Sequence, residues 1–67
     1  MRSQDVQLGM LVRVSKLHRN LDYQGQTGVV KQRYGNVNHA AFDIQFADGR
    51  SELFWHHEFD EVQGLLH

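Results

Sequence analysis

Apolar and polar residues alternate along several short stretches of this chain, which is the pattern of half-buried β-strands. Val12 and Val14 alternate with Arg13 and Ser15, and residues 27–34 form a second strand-like run that contains two adjacent valines. No segment repeats apolar residues at the i, i+3, i+4 and i+7 positions of an amphipathic helix over three turns. The pattern therefore predicts an all-β chain.

The strongest strand signal is a hairpin in the second half of the chain. Residues 42–46 and 51–55 flank Asp48-Gly49, a dipeptide typical of two-residue hairpin turns. Directly opposed residues on paired strands share a face of the sheet. A two-residue loop predicts an inner face of five apolar residues, which are Phe42, Ile44, Phe46, Leu53 and Trp55. The same register places Phe54 on the outer face, as an exposed aromatic side chain that a partner can contact.

The remaining segments predict loops and a short final strand. Proline is absent, so the turns depend on Gly, Asn and Asp, which are concentrated in residues 18–25 and 35–38. After Trp55 we expect a short helical turn that lets Phe59 close one end of the core, with Val62 starting the last strand. Residues 63–67 are expected to fray.

Length and composition predict one small domain over residues 1–67, with its core at about residues 8–62. The chain has no cysteine, so disulfides and cysteine-based zinc sites are excluded. It has no apolar run of about 18 residues that could span a bilayer, and its first residues do not resemble a secretory signal. We therefore expect a cytoplasmic protein with no membrane contact. A homodimer stays open, because self-association helps a small core.

Four segments carry a family resemblance, and the last of them is the final acidic stretch. They are Gly9-Met10-Leu11-Val12-Arg13-Val14, Gly25-Gln26-Thr27-Gly28-Val29-Val30, Phe42-Asp43-Ile44-Gln45-Phe46-Ala47-Asp48-Gly49-Arg50 and Glu58-Phe59-Asp60-Glu61-Val62. Their order resembles the SH3-like barrels, especially the KOW and Tudor-like groups. The resemblance implies a small five-stranded SH3-like barrel with a short helical turn before the last strand. That fold hosts nucleic-acid binders, peptide binders, subunits of complexes and a few enzymes, so it does not specify a function.

One enzyme family with this fold offers a local match. Residues 23–26, Tyr-Gln-Gly-Gln, are similar to the Trp-Gln-Gly-Gln segment of the plasmid-type dihydrofolate reductases. Those enzymes also carry a Val-Gln-Ile-Tyr strand that contacts the ligand, whereas residues 51–54 here read Ser-Glu-Leu-Phe. This departure weighs against reductase activity. The serines lack a nucleophile-elbow pattern and no phosphate-binding Gly-rich motif is present, so we expect no enzyme activity and no cofactor.

The histidines raise the question of a metal site. His56-His57-Glu58 contains residue types that bind divalent metals. Adjacent residues of an extended strand point to opposite faces, so His56 and His57 could coordinate one ion only if they lie in a turn. No second cluster has ligand spacing, and we expect surface histidines and no bound metal.

Charge is distributed unevenly although the net charge is only −1. Residues 1–33 carry six cations and two carboxylates, whereas residues 34–67 carry one cation and six carboxylates. The first half can therefore form a basic face for RNA or single-stranded DNA. The alternative is that the two halves lie side by side and neutralise each other.

A binding or adaptor module is the leading hypothesis, with a protein partner slightly favoured over nucleic acid because the net charge is negative. Aromatic residues can line a peptide groove, and unpaired sheet edges can accept a strand from another chain. The candidate partner-binding residues are Phe54, Tyr23, Tyr34, Arg13, Lys16, Arg19, Lys31 and Arg33.

Overall fold

The computed structural model describes residues 1–62, and within them every strand belongs to one antiparallel sheet. The strands are β1 (Leu11–Val14), β2 (Thr27–Gly35), β3 (Ala40–Phe46), β4 (Ser51–Trp55) and β5 (Phe59–Glu61). Single 3₁₀ turns lie at Ser3–Asp5 and His56–Glu58. The strands are arranged in the order β4-β3-β2-β1-β5, so β4 and β5 are the two edges. The predicted all-β class is confirmed for these residues.

The hydrophobic core lies on one face of this curved sheet, as the alternating pattern predicts. Its fully buried side chains include Val12, Val14, Val30, Phe42 and Ile44. Burial of each of these side chains stabilises the fold by about 1.5–3 kcal/mol, because it removes apolar surface from water. The described residues therefore share one core, which no second sheet covers.

The paired strands β2 and β3 approach so closely at position 28 that only a glycine fits there. A Cβ atom added there would lie 2.6 Å from Ile44 Cγ2 and 2.8 Å from the carbonyl oxygen of Gln45. Both distances are far below van der Waals contact. Gly28 therefore lets the two paired strands approach closely at this point.

A β-bulge in β2 changes which residues face the core. The pairing with β3 shifts between Val30 and Gln32, leaving Lys31 as the extra residue. As a result Arg33 lies opposite Phe42, and its guanidinium group lies 5.3 Å from the centroid of that ring. Arg33 Nη1 also donates a hydrogen bond of 3.1 Å to the carbonyl oxygen of Ser3. The bulge thus orients Arg33 so that its guanidinium group links the N-terminal 3₁₀ turn to the sheet.

The hairpin between β3 and β4 turns at the predicted place but with a loop of three residues. The Phe46 amide donates to the Arg50 carbonyl at 2.8 Å, and the Gly49 amide donates to the Phe46 carbonyl at 2.9 Å. Gly49 has a φ of +91°, as expected for the last residue of a three-residue loop with a bulge. The loop is Ala47-Asp48-Gly49, so Phe46 rather than Ala47 lies opposite Arg50.

This extra loop residue shifts the strand register by one and overturns part of the predicted core. Phe42 pairs with Phe54, and Ile44 pairs with Glu52 instead of Leu53. Because side chains alternate between faces, a shift of one residue exchanges the two faces of β4. Phe54 is 1% exposed, whereas Leu53 is 55% and Trp55 42% exposed. The outward placement of Phe54 and the inward placement of Leu53 and Trp55 were wrong.

The last strand begins earlier than predicted. The expected turn is present at His56–Glu58, and Phe59 directly after it is buried. Phe59 is already part of β5 and pairs with Val14, so the strand begins there and not at Val62. The predicted fraying of residues 63–67 falls outside the described residues. β4 and β5 do not pair, so the sheet curves but does not close.

Candidate functional site

The outward surface of strands β2, β3 and β4 forms the candidate site. Its residues follow from the pairing, which places Tyr34 opposite Ala41 and Ala41 opposite Trp55. The next row along the strands places Asp43 opposite Leu53. We call this surface the outer face and define it by Tyr34, Ala41, Asp43, Leu53 and Trp55.

The outer face carries the large exposed apolar side chains of the described strands. Tyr34 on β2 is 52% exposed, and Leu53 and Trp55 on β4 are exposed on the same face, with β3 between the two strands. A shallow depression of about 320 Å³ lies among Tyr34, Asp43, Ser51, Glu52 and Leu53. A contiguous apolar surface with a polar rim is typical of sites that contact another protein.

Trp55 is held in place by histidines. The His39 ring stacks on the indole at a centroid distance of 4.5 Å and an interplanar angle of 22°. His56 packs edge-on against His39 at 5.6 Å, and its Nδ1 lies 2.9 Å from the Met1 carbonyl oxygen, a geometry in which the ring donates. The Trp55 end of the outer face is therefore held in position by two neighbouring segments, through His39 and His56.

The hydrogen-bonding pattern leaves the far edge of β4 without a strand partner. Phe46 and Arg50 form a hydrogen-bonded pair, and such pairs alternate with non-bonded ones along an antiparallel ladder. The backbone groups of Glu52 and Phe54 therefore face β3, while those of Ser51, Leu53 and Trp55 face away from it. Consistent with this, the Trp55 amide donates to Glu58 Oε1 at 2.8 Å. In residues 1–62, no other strand pairs beyond β4.

Two carboxylates flank this edge. Asp43 lies beside Leu53 on the outer face, whereas Glu52 is paired with Ile44 and belongs to the opposite face of β4. The Leu53 amide makes a long contact of 3.4 Å with Glu52 Oε1, which places that carboxylate along the edge. Among the ion pairs of residues 1–62, neither acid has a cationic partner. The depression beside β4 therefore carries negative charge.

The Trp55 end of β4 and its inner face are closed by a cluster of polar side chains around Glu58, which we call the polar knot. Glu58 Oε2 lies 3.1 Å from His18 Nε2 and 3.5 Å from Arg19 Nη1. The Asn20 amide donates to His18 Nδ1 at 3.0 Å, so that nitrogen is the acceptor and Nε2 carries the proton given to Glu58. These bonds fasten the loop between β1 and β2 against the second 3₁₀ turn.

Two predicted binding aromatics belong to the core on this closed side. Tyr23 is 8% exposed and packs against Phe46 and Phe54 at centroid distances of 4.9 and 5.6 Å. Phe54 also meets the His18 ring edge-on at 5.3 Å. Neither Tyr23 nor Phe54 is exposed to a partner, because the shifted register turns Phe54 inward and the loop folds Tyr23 over it. Tyr34 is the one aromatic candidate that lies on the outer face.

The five candidate cations lie on different elements, and two of them have partners within the fold. Arg33 is engaged with Phe42 and Ser3, and Arg19 reaches Glu58. The other three stand on separate elements: Arg13 on β1, Lys16 in the following loop and Lys31 at the bulge of β2. Arg13 pairs with Asp60 of β5, which brings the basic and acidic halves side by side. This arrangement matches the alternative in which the two halves offset each other.

The three neighbouring histidines do not form a metal site in the described part of the chain. His39, His56 and His57 contact each other through ring edges, but residues 1–62 contain no group of three or more ligand side chains positioned around one point. No helix within that range is long and apolar enough to cross a membrane.

Comparison with known proteins gives no relative: no family model, no curated protein and no solved structure matches the chain. The candidate site therefore depends on geometry alone. Sequence reasoning missed Leu53 and Trp55 as surface residues. The available signal was Ala47 before Asp48-Gly49, because glycine at the third loop position is also typical of three-residue hairpins.

Proposed function

We propose that this chain is a non-enzymatic binding module that engages a protein partner through its outer face. The observation that carries the proposal is the exposure of Tyr34, Leu53 and Trp55 on one face of the sheet, on the two strands that flank β3. A chain of 67 residues has few large apolar side chains with which to build a core. Placing three of them together on the solvent side has a cost in stability that a binding role explains.

We further propose that the module is an SH3-like barrel. The strand order β4-β3-β2-β1-β5 and the 3₁₀ turn between β4 and β5 support this assignment. The gap between the two edge strands is filled from the loop between β1 and β2, through Tyr23 and the Glu58 knot. A cysteine-free chain suits the reducing cytoplasm, where we place the module.

A protein partner fits the charges better than nucleic acid does. Asp43 on the outer face and Glu52 at the edge of β4 both line the depression, and their carboxylates would repel a phosphate backbone. The cations of the first half stand on different elements, and Arg33 and Arg19 already have partners inside the fold. The arrangement of these charges therefore supports a protein partner over the nucleic-acid alternative.

Affinity capture with a matched pair of variants tests the proposal. Wild-type protein, a Tyr34→Thr/Leu53→Thr double variant and a Leu17→Thr/Leu21→Thr control are used as baits in lysate of the source cells. The control changes two leucines that are 91% and 78% exposed but lie in the loop between β1 and β2. We expect specific proteins to be retained by wild type and control and lost from the outer-face variant.

Nuclease treatment separates the two partner classes. Capture that persists after treatment with RNase and DNase and depends on Tyr34 and Leu53 supports a protein partner. Capture that disappears with nuclease, or that is the same for the outer-face variant and wild type, contradicts the proposal. Thermal unfolding of all three baits controls for loss of fold.

A further inference from the structure

The free edge of β4 suggests how a partner docks. We propose that β4 accepts an extended segment of the partner protein as a sixth strand, and that this segment presents a lysine or arginine side chain to Glu52 at the edge, with Asp43 adding negative charge on the outer face. This inference rests on the proposed function and specifies its partner. It uses backbone hydrogen bonds for attachment and the two carboxylates for selection.

The backbone of β4 is positioned for this role. The amide and carbonyl groups of Ser51 and Leu53 point away from β3, as the ladder alternation and the Trp55–Glu58 bond require. A strand added to an exposed sheet edge gains affinity from such groups. The Trp55 amide is already bonded to Glu58, so the available template is centred on Ser51 and Leu53.

The weak contact at Leu53 can be exchanged. The 3.4 Å separation between the Leu53 amide and Glu52 Oε1 is longer than a good N–H···O hydrogen bond of about 2.9–3.0 Å. A carbonyl group of an incoming strand would replace this contact at better geometry. The Glu52 carboxylate would then be released to meet a cationic side chain of the same strand.

Side chains beside the edge define what the added strand must present. Tyr34 and Leu53 form apolar walls of the depression, and Asp43 and Glu52 supply negative charge. Apolar side chains alternating with basic ones complement both features.

Charge also argues against a second copy of this chain as the occupant. Pairing β4 with β4 of another copy about a two-fold axis at Leu53 would bring two Glu52 side chains to diagonal positions, and residues 51–55 contain no cation to offset them. A foreign segment with basic residues has no such penalty. We therefore assign the edge to a basic strand of a different protein.

Synthetic peptides test this assignment on the full-length protein by NMR. The probe is acetyl-Val-Lys-Val-Lys-Val-Lys-Val-amide, and its controls are the peptide with glutamate in place of lysine and a basic peptide N-methylated at alternate backbone nitrogens. We expect the unmodified basic peptide to shift the amide signals of Ser51 and Leu53 and to protect both amides from exchange. We expect at least about tenfold weaker binding of both control peptides.

Variants of the edge separate backbone pairing from charge. Ser51→Pro removes an amide that faces away from β3, at the first residue of an edge strand, where proline is tolerated. We expect it to abolish peptide binding, whereas Ser51→Thr retains it. Glu52→Gln should weaken the basic peptide about threefold to tenfold, whereas Glu61→Gln on β5 should leave binding unchanged.

Each contrary outcome overturns a defined part of the account. Equal binding of the N-methylated peptide, or amide shifts centred elsewhere, rules out strand addition. Concentration-dependent dimerisation that is lost in Ser51→Pro identifies a second copy as the occupant and contradicts the foreign strand. If lysate capture depends on Tyr34 and Leu53 but survives Ser51→Pro, the proposed function stands and strand addition falls.

Discussion

The two sides of β4 differ in how completely their groups are partnered. On the inner side, Phe54 packs against Tyr23, Phe46 and His18, and Glu58 accepts hydrogen bonds at both carboxylate oxygens. On the outer side, Leu53 and Trp55 remain exposed. Adjacent residues of one five-residue strand thus have opposite environments.

This difference separates residues that hold the fold from residues available for binding. Buried polar groups that are fully hydrogen-bonded stabilise one structure, and losing one partner leaves the other with its desolvation cost. Exposed apolar side chains beside unpaired backbone groups add little to folding and can contribute to association. Substitutions on the two sides of β4 and in its flanking turns test that separation.

The largest effect should come from the inner aromatic. Phe54→Ala should destabilise the protein by about 3–5 kcal/mol, because the lost side chain leaves a cavity in the core. A chain of this size has only about 3–10 kcal/mol of total stability, so much of the variant should be unfolded at room temperature. Leu53→Ala, one residue away and exposed, should cost less than about 1 kcal/mol. Urea unfolding followed by circular dichroism measures both; equal costs would contradict the two-sided description of β4.

The polar knot should give the next largest effect. Glu58→Ala removes the acceptor of both the Trp55 amide and His18 Nε2, so we expect a loss of about 1–3 kcal/mol in unfolding free energy. Glu61→Ala, on the exposed part of β5, should stay within about 0.5 kcal/mol of wild type. The same urea titration compares them. A loss no larger in Glu58→Ala than in Glu61→Ala would show that the knot does not hold the loop.

The hairpin loop should respond more weakly. A Cβ atom at Gly49 would meet nothing within 4 Å, but the φ of +91° is costly for any residue with a side chain. Gly49→Ala should therefore lose about 1–2 kcal/mol from backbone strain alone. Ala47→Ser in the same loop should change stability by less than about 0.5 kcal/mol. An unchanged midpoint for Gly49→Ala would argue against the three-residue loop that sets the register.

The smallest effect concerns the ion pair at the hairpin tip. Hydrogen bonds from the Arg50 amide and guanidinium, at 2.9 and 2.7 Å, lower the pKa of Asp48 below its ordinary value. A lowered folded-state pKa contributes stability above the ordinary pKa and loses it as the pH falls through the folded value. Both residues are solvent-exposed, so the contribution is small. NMR titration of the Asp48 carboxyl should show the lowered pKa, and Arg50→Gln should raise it; a pKa unaffected by Arg50→Gln would exclude the pair.

The sequence predicted the strands well because alternation and turn residues are local signals. The strand at residues 51–55, the helical turn at 56–58 and the inner placement of Phe42, Ile44 and Phe46 all follow from such signals. The face of β4 did not follow, because it depends on whether the loop has two or three residues. Both registers put apolar side chains on each side of β4, so the hydrophobic pattern could not choose between them.

The candidate site was displaced for the same reason. One residue of register exchanged Phe54 for Leu53 and Trp55 as the exposed side chains. Tyr23 was also assigned to the surface, since a loop position says nothing about whether the ring folds back over Phe46. The bulge at Lys31 turns Arg33 toward Phe42. The alternation of apolar and polar residues in the sequence does not reveal this bulge. Long-range packing decided each of these positions.

The register of β4 against β3 is the claim from which both the core and the outer face follow. A NOESY spectrum of the folded protein tests it directly, because non-hydrogen-bonded pairs of an antiparallel ladder bring their Cα atoms within about 4.5 Å. We predict strong Hα–Hα cross-peaks between Asp43 and Leu53 and between Ala41 and Trp55. A strong cross-strand cross-peak linking the Hα of Leu53 to the Hα of Ile44 would contradict the register, returning Phe54 to the surface and removing Leu53 from the proposed binding face.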